Sequence, residues 1–324
     1  MSYYPAIVLS VQNLTKTFST GSFFSASKST AIAVNKVSFD LAQGEMVGIL
    51  GPNGAGKTTT LHMLVGVLKP TSGSIFYFGK DFSIARSELL QSIGFASGSL
   101  QLPTTLSVAQ NLDIYARLCG LNKQERTNRI EELLTTFGMW SLRNSATGHL
   151  AFGQLNRVIL AKAFLAQPQI VFLDEATAAL DPDIAHTVRL FLTKEQTQNG
   201  TTILFSSHNM VEVAHMCSRV LVMKEGAIIA DSAPEKLTHQ IAKVRVQLTV
   251  LESSAQISHF LKKHSFLYTA QGNVVTIEID EQAVAYLLNH LARESIMYSH
   301  ISIDKPTLED YFLKISYAPT QLTT

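Results

Sequence analysis

The stretch Gly51-Pro-Asn-Gly-Ala-Gly-Lys57-Thr58 fits the phosphate-binding pattern G-x-x-x-x-G-K-[ST]. It lies between an apolar run, Met46–Leu50, that predicts a strand and a predicted helix that begins near Lys57. Glycines let the backbone turn tightly, so successive N–H groups point at phosphate oxygens, and the helix N-terminus adds a partial positive charge. Lys57 would reach the β and γ phosphates, and the Thr58 hydroxyl would be an oxygen ligand of a magnesium ion. The pattern predicts a nucleoside triphosphate site.

A second part of this site is predicted further along the chain. The run Ile170-Val-Phe-Leu173 predicts a buried strand that ends at the acidic pair Asp174-Glu175. Open α/β sheets bind ligands at the carboxyl ends of their strands. Asp174 would then hold the magnesium, directly or through water, and Glu175 would polarise the water that attacks the γ phosphate. A later apolar run, Thr202-Ile-Leu-Phe205, places His208 at the same edge.

The order of these motifs resembles the ATP-binding subunit of an ABC transporter over roughly residues 7–235. Residues 51–58 resemble its Walker A loop, residues 170–175 its Walker B strand, residues 106–112 its LTVxENL run, residues 179–182 its D-loop and His208 its switch histidine. Phe18 falls where the family stacks an aromatic ring on adenine, although a core phenylalanine is an equal alternative. The resemblance implies catalytic roles for Lys57, Glu175 and His208, Mg²⁺ ligation by Thr58 and Asp174, and ATP binding by Phe18, Gly51, Pro52, Asn53, Gly54, Ala55, Gly56, Lys57, Thr58 and Thr59.

The expected fold is α/β, a P-loop ATPase of the ABC type with a helical subdomain, plus a small C-terminal α+β domain. We expect the ATP-binding domain at residues 1–238, with helices over about 86–150, and the accessory domain at residues 239–324. Within the latter, alternation over 244–250 and 274–279 predicts strands. A third strand is predicted at 298–303, and helices at 257–264, at 282–293 and from Pro306-Thr307 onward.

The signature sequence departs from the family pattern. The usual LSGGQ reads Leu150-Ala-Phe-Gly-Gln154, so Ala151 offers no hydroxyl and Phe152 places a ring where a glycine is usual. In the family this segment caps ATP on the opposite subunit of a dimer. By analogy with oxyanion-hole donors, loss of the serine hydroxyl would cost about 3 kcal/mol of transition-state stabilisation. Restoring Ala151→Ser with Phe152→Gly is predicted to raise ATPase activity in a homodimer.

A second departure concerns the Q-loop, whose glutamine links the magnesium site to the helical subdomain. Counting from Ile93 and back from Leu106 places Gly98 at this position, and Gln101 lies three residues later. Three interpretations stay open: family drift with activity kept, a slow homodimer, or a heterodimer in which another ATPase supplies an intact signature.

Composition limits the partners. Only 16% of the residues are charged and the net charge is +1, which predicts no nucleic-acid partner. Although 46% are hydrophobic, no run reaches the roughly 18 apolar residues of a spanning helix, and the N-terminus lacks a signal peptide.

The two cysteines, Cys119 and Cys217, are predicted to be buried thiols. Residues 19–30, which include Phe23 and Phe24, are predicted to form a surface loop. The expected location is peripheral, at the cytoplasmic face of the inner or plasma membrane.

The stretch Pro306-Thr-Leu-Glu-Asp-Tyr-Phe-Leu313 resembles the tail of ABC ATPases that drive separately encoded exporter permeases. This implies export through a separate multi-span membrane permease, with a second ATP-binding subunit that is a copy of this chain or a different ATPase. The alternatives are a nucleotide-binding regulatory subunit that hydrolyses little ATP, and an ABC protein acting on ribosomes or DNA. The last is disfavoured because the chain shows one cassette and no long coiled coil.

Overall fold

The computed structural model describes residues 6–20, 29–177, 180–207, 209–241, 243–251, 254–294 and 296–317. These residues form two compact units, one ending at Ala233 and the other beginning at Pro234. Among the helices of these ranges, none is both long and apolar enough to cross a membrane.

The first unit alternates strands and helices, as its runs of buried apolar residues predict. In chain order it contains β1 (Ile7–Thr20), β2 (Ser29–Ala42), β3 (Met46–Leu50), α1 (Lys57–Leu64), β4 (Ser72–Tyr77), β5 (Lys80–Asp81), α2 (Arg86–Leu89), β6 (Ile93–Ser97), α3 (Val108–Leu118), α4 (Lys123–Thr136), α5 (Phe152–Phe164), β7 (Ile170–Asp174), α6 (Pro182–Asn199), β8 (Thr202–Ser206), α7 (Met210–Met216), β9 (Arg219–Lys224) and β10 (Ala227–Ser232).

Two sheets organise this unit. The larger has the order β10-β9-β3-β8-β7-β6 and is parallel from β9 to β6, with β10 antiparallel at one edge. All five residues of β3, β7 and β8 are buried, which is why these strands are nearly continuous apolar runs. The smaller sheet is antiparallel, in the order β2-β1-β4-β5. Parallel pairing brings the carboxyl ends of β3, β8 and β7 to one edge.

Three expectations for this unit were wrong. Residues 93–97 lie within the stretch predicted to be helical, yet they form β6, because they pair with β7 from Ile93 opposite Ile170 to Ser97 opposite Asp174. Strands β1 and β2 extend into the predicted loop as far as Thr20 and from Ser29; the rest of that loop, with Phe23 and Phe24, lies outside the described residues.

The third error concerns the cysteines. Cys217 is buried as predicted, but Cys119 is exposed because it follows the last turn of α3.

The helical segment between β6 and β7 is built from α3, α4 and α5. Helix α3 begins with a capping box: the Ser107 hydroxyl accepts from the Gln110 N–H at 3.1 Å, and the Gln110 side chain accepts from the Ser107 N–H at 2.8 Å. Helix α5 has only half of such a box, because Gln154 accepts from the Ala151 N–H at 3.0 Å but Ala151 has no side-chain oxygen to return the bond. The α5 N-terminus is therefore less well capped.

The second unit has the order β-α-β-β-α-β, preceded and followed by one helix. It contains α8 (Pro234–Thr238), β11 (Lys243–Val250), α9 (Ser254–Lys263), β12 (Leu267–Gln271), β13 (Val274–Asp280), α10 (Val284–Arg293), β14 (Tyr298–Asp304) and α11 (Leu308–Tyr317). The antiparallel sheet runs β12-β13-β11-β14, and its core includes Val246, Leu248, Ile277 and Leu287. The alternation correctly predicted β11 and β13, and the third predicted strand is β14, but the mostly exposed edge strand β12 was missed.

Candidate functional site

The loop between β3 and α1 is packed closely enough to require glycine at two positions. A Cβ on Gly51 would lie 2.5 Å from the Met223 carbonyl oxygen, and one on Gly56 would lie 2.4 Å from the Ala33 carbonyl oxygen. Gly56 also has φ of 99°, in the left-handed region that favours glycine. The loop therefore forms a tight backbone turn at the start of α1, which is the geometry that binds phosphate.

The side chain of Lys57 folds back onto this loop. Its ammonium donates to the carbonyl oxygens of Gly51 at 2.7 Å and Pro52 at 3.2 Å, and the residue is 5% exposed. Burial lowers the pKa of Lys57, while the charges of Glu175 and Asp174 oppose that shift. Lys57 of the phosphate loop therefore lies close enough to Asp174 and Glu175 for their charges to interact.

A buried serine is hydrogen-bonded to both residues of the carboxylate edge, the part of the sheet edge formed by Asp174 and Glu175. Ser206, at the end of β8, donates from its hydroxyl to Asp174 Oδ1 at 2.7 Å. The backbone N–H of Glu175 donates to the Ser206 hydroxyl and to the Ser206 carbonyl oxygen, both at 3.1 Å. Glu175 has φ of 52°, a conformation that costs about 1–3 kcal/mol and that these bonds maintain. Sequence reasoning missed Ser206, although its register position opposite Asp174 marks it as the polar end of a buried strand.

We expect Ser206→Ala to lower the turnover number for ATP hydrolysis about tenfold, because Asp174 loses a hydrogen bond of about 1.5–3 kcal/mol and the Glu175 N–H loses one acceptor. Steady-state phosphate release over a range of ATP concentrations measures this change. The matched control is Thr202→Val at the other end of β8, where the hydroxyl is equally buried but bonds to Gly44 and Ala42. Equal losses of turnover in the two variants would contradict a specific role for Ser206.

A second buried polar residue joins the segments that follow β7 and β8. Glu212 accepts through Oε2 from the hydroxyls of Thr177 at 3.0 Å and Ser207 at 3.2 Å. Burial raises the pKa of the Glu212 carboxyl above its usual 4.5, although these bonds and Arg189 favour the charged form. Glu212 therefore fixes the segment after Glu175 against the segment that leads to His208.

The buried Glu212 predicts a pH-dependent stability. Because its pKa is raised in the folded protein, folding takes up a proton above pH 4.5, and the associated stability is lost as pH rises through the folded pKa. Glu212→Gln cannot ionise, and its amide oxygen still accepts from Thr177 and Ser207. We expect the melting temperature of Glu212→Gln, relative to that of wild type, to be higher at pH 8 than at pH 5. Each kcal/mol of difference in the free energy of unfolding corresponds to a shift of about 2–4 °C. Glu131→Gln, on an exposed part of α4, should show no such difference.

The remaining predicted residues are placed as follows. Thr58 is exposed and Thr59 half-buried in the first turn of α1. Phe18 is 39% exposed, so it is not a core residue; the Lys16 ammonium lies 5.2 Å from its ring centroid. Phe18 pairs with Ala31, two residues before the Ala33 carbonyl that approaches Gly56. His208 and Ala179, of the predicted switch and D-loop, lie outside the described residues.

Comparison with known proteins identifies the family. The sequence model of the ABC transporter family matches residues 34–178. The ABC transporter ATP-binding protein NatA of Bacillus subtilis (strain 168) is 38% identical over 215 residues, which are 66% of this chain and 87% of NatA. This chain belongs to the ABC transporter ATP-binding proteins. It is an ABC ATPase, and ATP hydrolysis in this family is coupled to transport.

Two further relatives extend past the cassette. The methionine import ATP-binding protein MetN 1 of Oceanobacillus iheyensis is 30% identical over 317 residues, covering 93% of this ABC ATPase and 91% of MetN 1. The bacitracin transport ATP-binding protein BcrA of Bacillus licheniformis is 28% identical over 293 residues, 87% and 92% of the two chains. Relatives of this ABC ATPase therefore include one named for import.

The solved structures agree with the expected fold class. The dimeric structure of the bacterial ABC transporter cassette MJ0796 superposes with a TM-score of 0.64 at 25% identity, over 69% of this chain and 98% of the cassette. The predicted α/β P-loop fold of the ABC type is confirmed. As an ABC ATPase, the protein binds ATP, and subunits of this family dimerise and pair with membrane permease components.

Proposed function

We propose that this ABC ATPase powers the export of a substrate through a separately encoded membrane permease, at the cytoplasmic face of the inner or plasma membrane. The observation that carries the direction is the stretch from Pro306 to Leu313, which resembles the tail of exporter ATPases. Its first turn forms a capping box in which Thr307 and Asp310 exchange backbone-to-side-chain bonds of 2.9 and 3.2 Å. BcrA, named for bacitracin transport, is consistent with export, whereas MetN 1 is named for import.

The proposed chemistry uses residues at the edge already described. The backbone of residues 51–56, Lys57 and the first turn of α1 with Thr59 would bind the ATP phosphates, and the exposed ring of Phe18 would stack on adenine. The Thr58 hydroxyl and the Asp174 carboxylate are oxygen donors of the kind that Mg²⁺ prefers, so the residues present fit that ion. When bound, Mg²⁺ would neutralise phosphate charge.

Glu175 would position the attacking water and accept its proton, with His208 near the γ phosphate. The bonds that the Glu175 N–H donates to Ser206 hold the Glu175 backbone in its left-handed conformation and so fix the point from which its carboxylate extends. Lys57 would exchange its bonds to Gly51 and Pro52 for phosphate oxygens when ATP enters. We further propose that residues 1–238 form the ATP-binding domain and residues 239–324 an accessory domain, which the division of the described residues at Ala233 and Pro234 supports.

The test is steady-state ATPase activity of the purified chain, alone and with its co-expressed permease, beside a Glu175→Gln control. Activity that the permease stimulates and the control lacks supports the proposal. For direction, inside-out membrane vesicles containing the complex are assayed with bacitracin as the first probe. ATP-dependent accumulation supports export. Uptake by right-side-out vesicles that requires ATP inside the vesicle would overturn it.

A second candidate is a nucleotide-binding subunit of a heterodimeric ABC ATPase that hydrolyses little ATP itself. It is favoured by the α5 N-terminus, where Ala151 supplies no hydroxyl and Phe152 is 56% exposed. Tight ATP binding with negligible turnover, with and without the permease, supports this candidate. Turnover by the chain alone that Glu175→Gln abolishes would exclude it.

A further inference from the structure

The two positions at which the sequence departs from its family lie beside each other in the folded chain. Gly98 directly follows β6 and Phe152 begins α5, and 53 residues separate them in the sequence. A Cβ built on Gly98 would lie 4.0 Å from Phe152 Cζ and 3.8 Å from the Glu175 carbonyl oxygen. The ring of Phe152 therefore lies next to the loop after β6, beside the carboxylate edge of its own chain.

Neither the backbone conformation nor the space for a Cβ requires glycine at position 98. The φ of Gly98 lies outside the left-handed region, so a residue with a side chain can adopt its conformation. Contacts of 3.8 and 4.0 Å are ordinary van der Waals distances, so a Cβ alone would fit. A longer side chain at this position, such as glutamine, would extend next to the aromatic ring. The side chain at 152 thus limits what residue 98 can be.

The loop beside the ring is also hydrogen-bonded to the strand that ends at Asp174. The Gly98 N–H donates to the Asp174 carbonyl oxygen at 3.3 Å, and the Leu100 N–H donates to the Ser97 carbonyl oxygen at 3.0 Å. The tip of the ring thus lies beside a turn whose backbone adjoins Asp174 and Glu175. Helix α5 also packs closely on β6 farther along, where a Cβ built on Gly94 would lie 2.3 Å from the Ala163 carbonyl oxygen. The Phe152 ring therefore lies at the end of an existing packing between helix and strand.

We propose that Phe152 and Gly98 are a matched pair, in which the Phe152 ring replaces a longer side chain at position 98 and holds the loop after β6 against the Asp174 and Glu175 edge of the same chain. Phe152 is then a positioning residue of its own site, in addition to lying on the surface that family resemblance assigns to the partner's ATP. The proposal rests on the roles proposed above for Asp174 and Glu175 in ATP hydrolysis, because that reaction is what the loop serves.

The first experiment is a double-mutant cycle on the full chain, with Phe152→Ala, Gly98→Gln and the two combined. Phe152→Ala releases the loop and Gly98→Gln forces the ring aside, so each should lower the turnover number about tenfold. The combined variant should recover to within about threefold of wild type, because the glutamine side chain fills the space that the ring leaves. Losses that multiply, to about 100-fold, would overturn the pairing.

The second experiment reads the contact without hydrolysis. Amide hydrogen exchange of residues 97–106 is measured on nucleotide-free protein diluted to a monomer. Phe152→Ala should raise exchange of the Gly98 amide several-fold, and Phe152→Leu should give a smaller increase since it keeps part of the apolar contact. The control is Leu190→Ala, which removes an apolar side chain of α6 that is more than half exposed, as Phe152 is. Unchanged exchange in Phe152→Ala would overturn the proposal whatever the rate of ATP hydrolysis.

The pair also changes the expectation for restoring the signature. Ala151→Ser with Phe152→Gly supplies the missing hydroxyl but removes the ring from Gly98, so turnover should stay at or below the wild-type rate. Adding Gly98→Gln to that variant should raise turnover above wild type. If the two-residue variant is already faster than wild type, Phe152 acts only on the partner's nucleotide and the proposed contact has no role.

Discussion

Glu175→Gln should reduce steady-state ATP hydrolysis at least about 100-fold, since general-base catalysis contributes about 10²–10⁴ to the rate. Glutamine has nearly the shape of glutamate but cannot accept the proton of the attacking water. Its backbone N–H would keep both bonds to Ser206, so the fold of the edge should survive. Phosphate release measures the loss, and equilibrium binding of labelled ATP should remain within a few-fold of wild type.

A suitable control is Glu225→Gln. Glu225 is an exposed acid with φ of 50°, so it carries the same charge in the same left-handed conformation, in the turn between β9 and β10. The control should hydrolyse ATP at the wild-type rate. Residual activity above a tenth of wild type in Glu175→Gln would show that another group accepts the proton, and the proposed role of Glu175 would be wrong.

The central strands could be predicted from the sequence because their burial is complete. Strands β3, β7 and β8 each consist of five buried residues, and covered parallel strands must be apolar along their whole length. The phosphate loop was equally predictable, since Gly51 and Gly56 approach carbonyl oxygens more closely than any side chain permits. The position of these motifs relative to the strands then fixed the edge at which the site lies.

Other features depend on contacts that no local pattern reports. Strand β6 contains a glycine and is half-buried at Ile93 and Phe95, so its sequence alone does not distinguish it from a helix; pairing with β7 decides. The roles of Ser206 and Glu212 arise from bonds to residues more than 30 positions away, apart from the local bond to Ser207. Sequence reasoning found the departures at Gly98 and Phe152 but could not show that they lie side by side.

Lys57→Ala should weaken ATP binding at least about 100-fold, because hydrogen bonds to a charged group contribute about 1.5–3 kcal/mol each and the buried ammonium can donate at least two. The variant also leaves Asp174 and Glu175 without the positive charge that faces them. Equilibrium dialysis with labelled ATP measures the affinity. Lys80→Ala, which removes an equal charge from an exposed ion pair with Glu88, should bind ATP as wild type does.

The pH dependence of binding tests the same residue in the unmodified protein. Burial lowers the pKa of Lys57 below its usual 10.5, so the nucleotide-free protein loses this positive charge at a lower pH than an exposed lysine would. ATP affinity of wild type should therefore already fall as the pH rises towards 10.5, and Lys80→Ala should follow the same curve. Lys57→Ala has no such charge to lose, so its weak affinity should change little over this range. A parallel fall in Lys57→Ala would assign the pH dependence to another group and remove this support for Lys57 as the phosphate ligand.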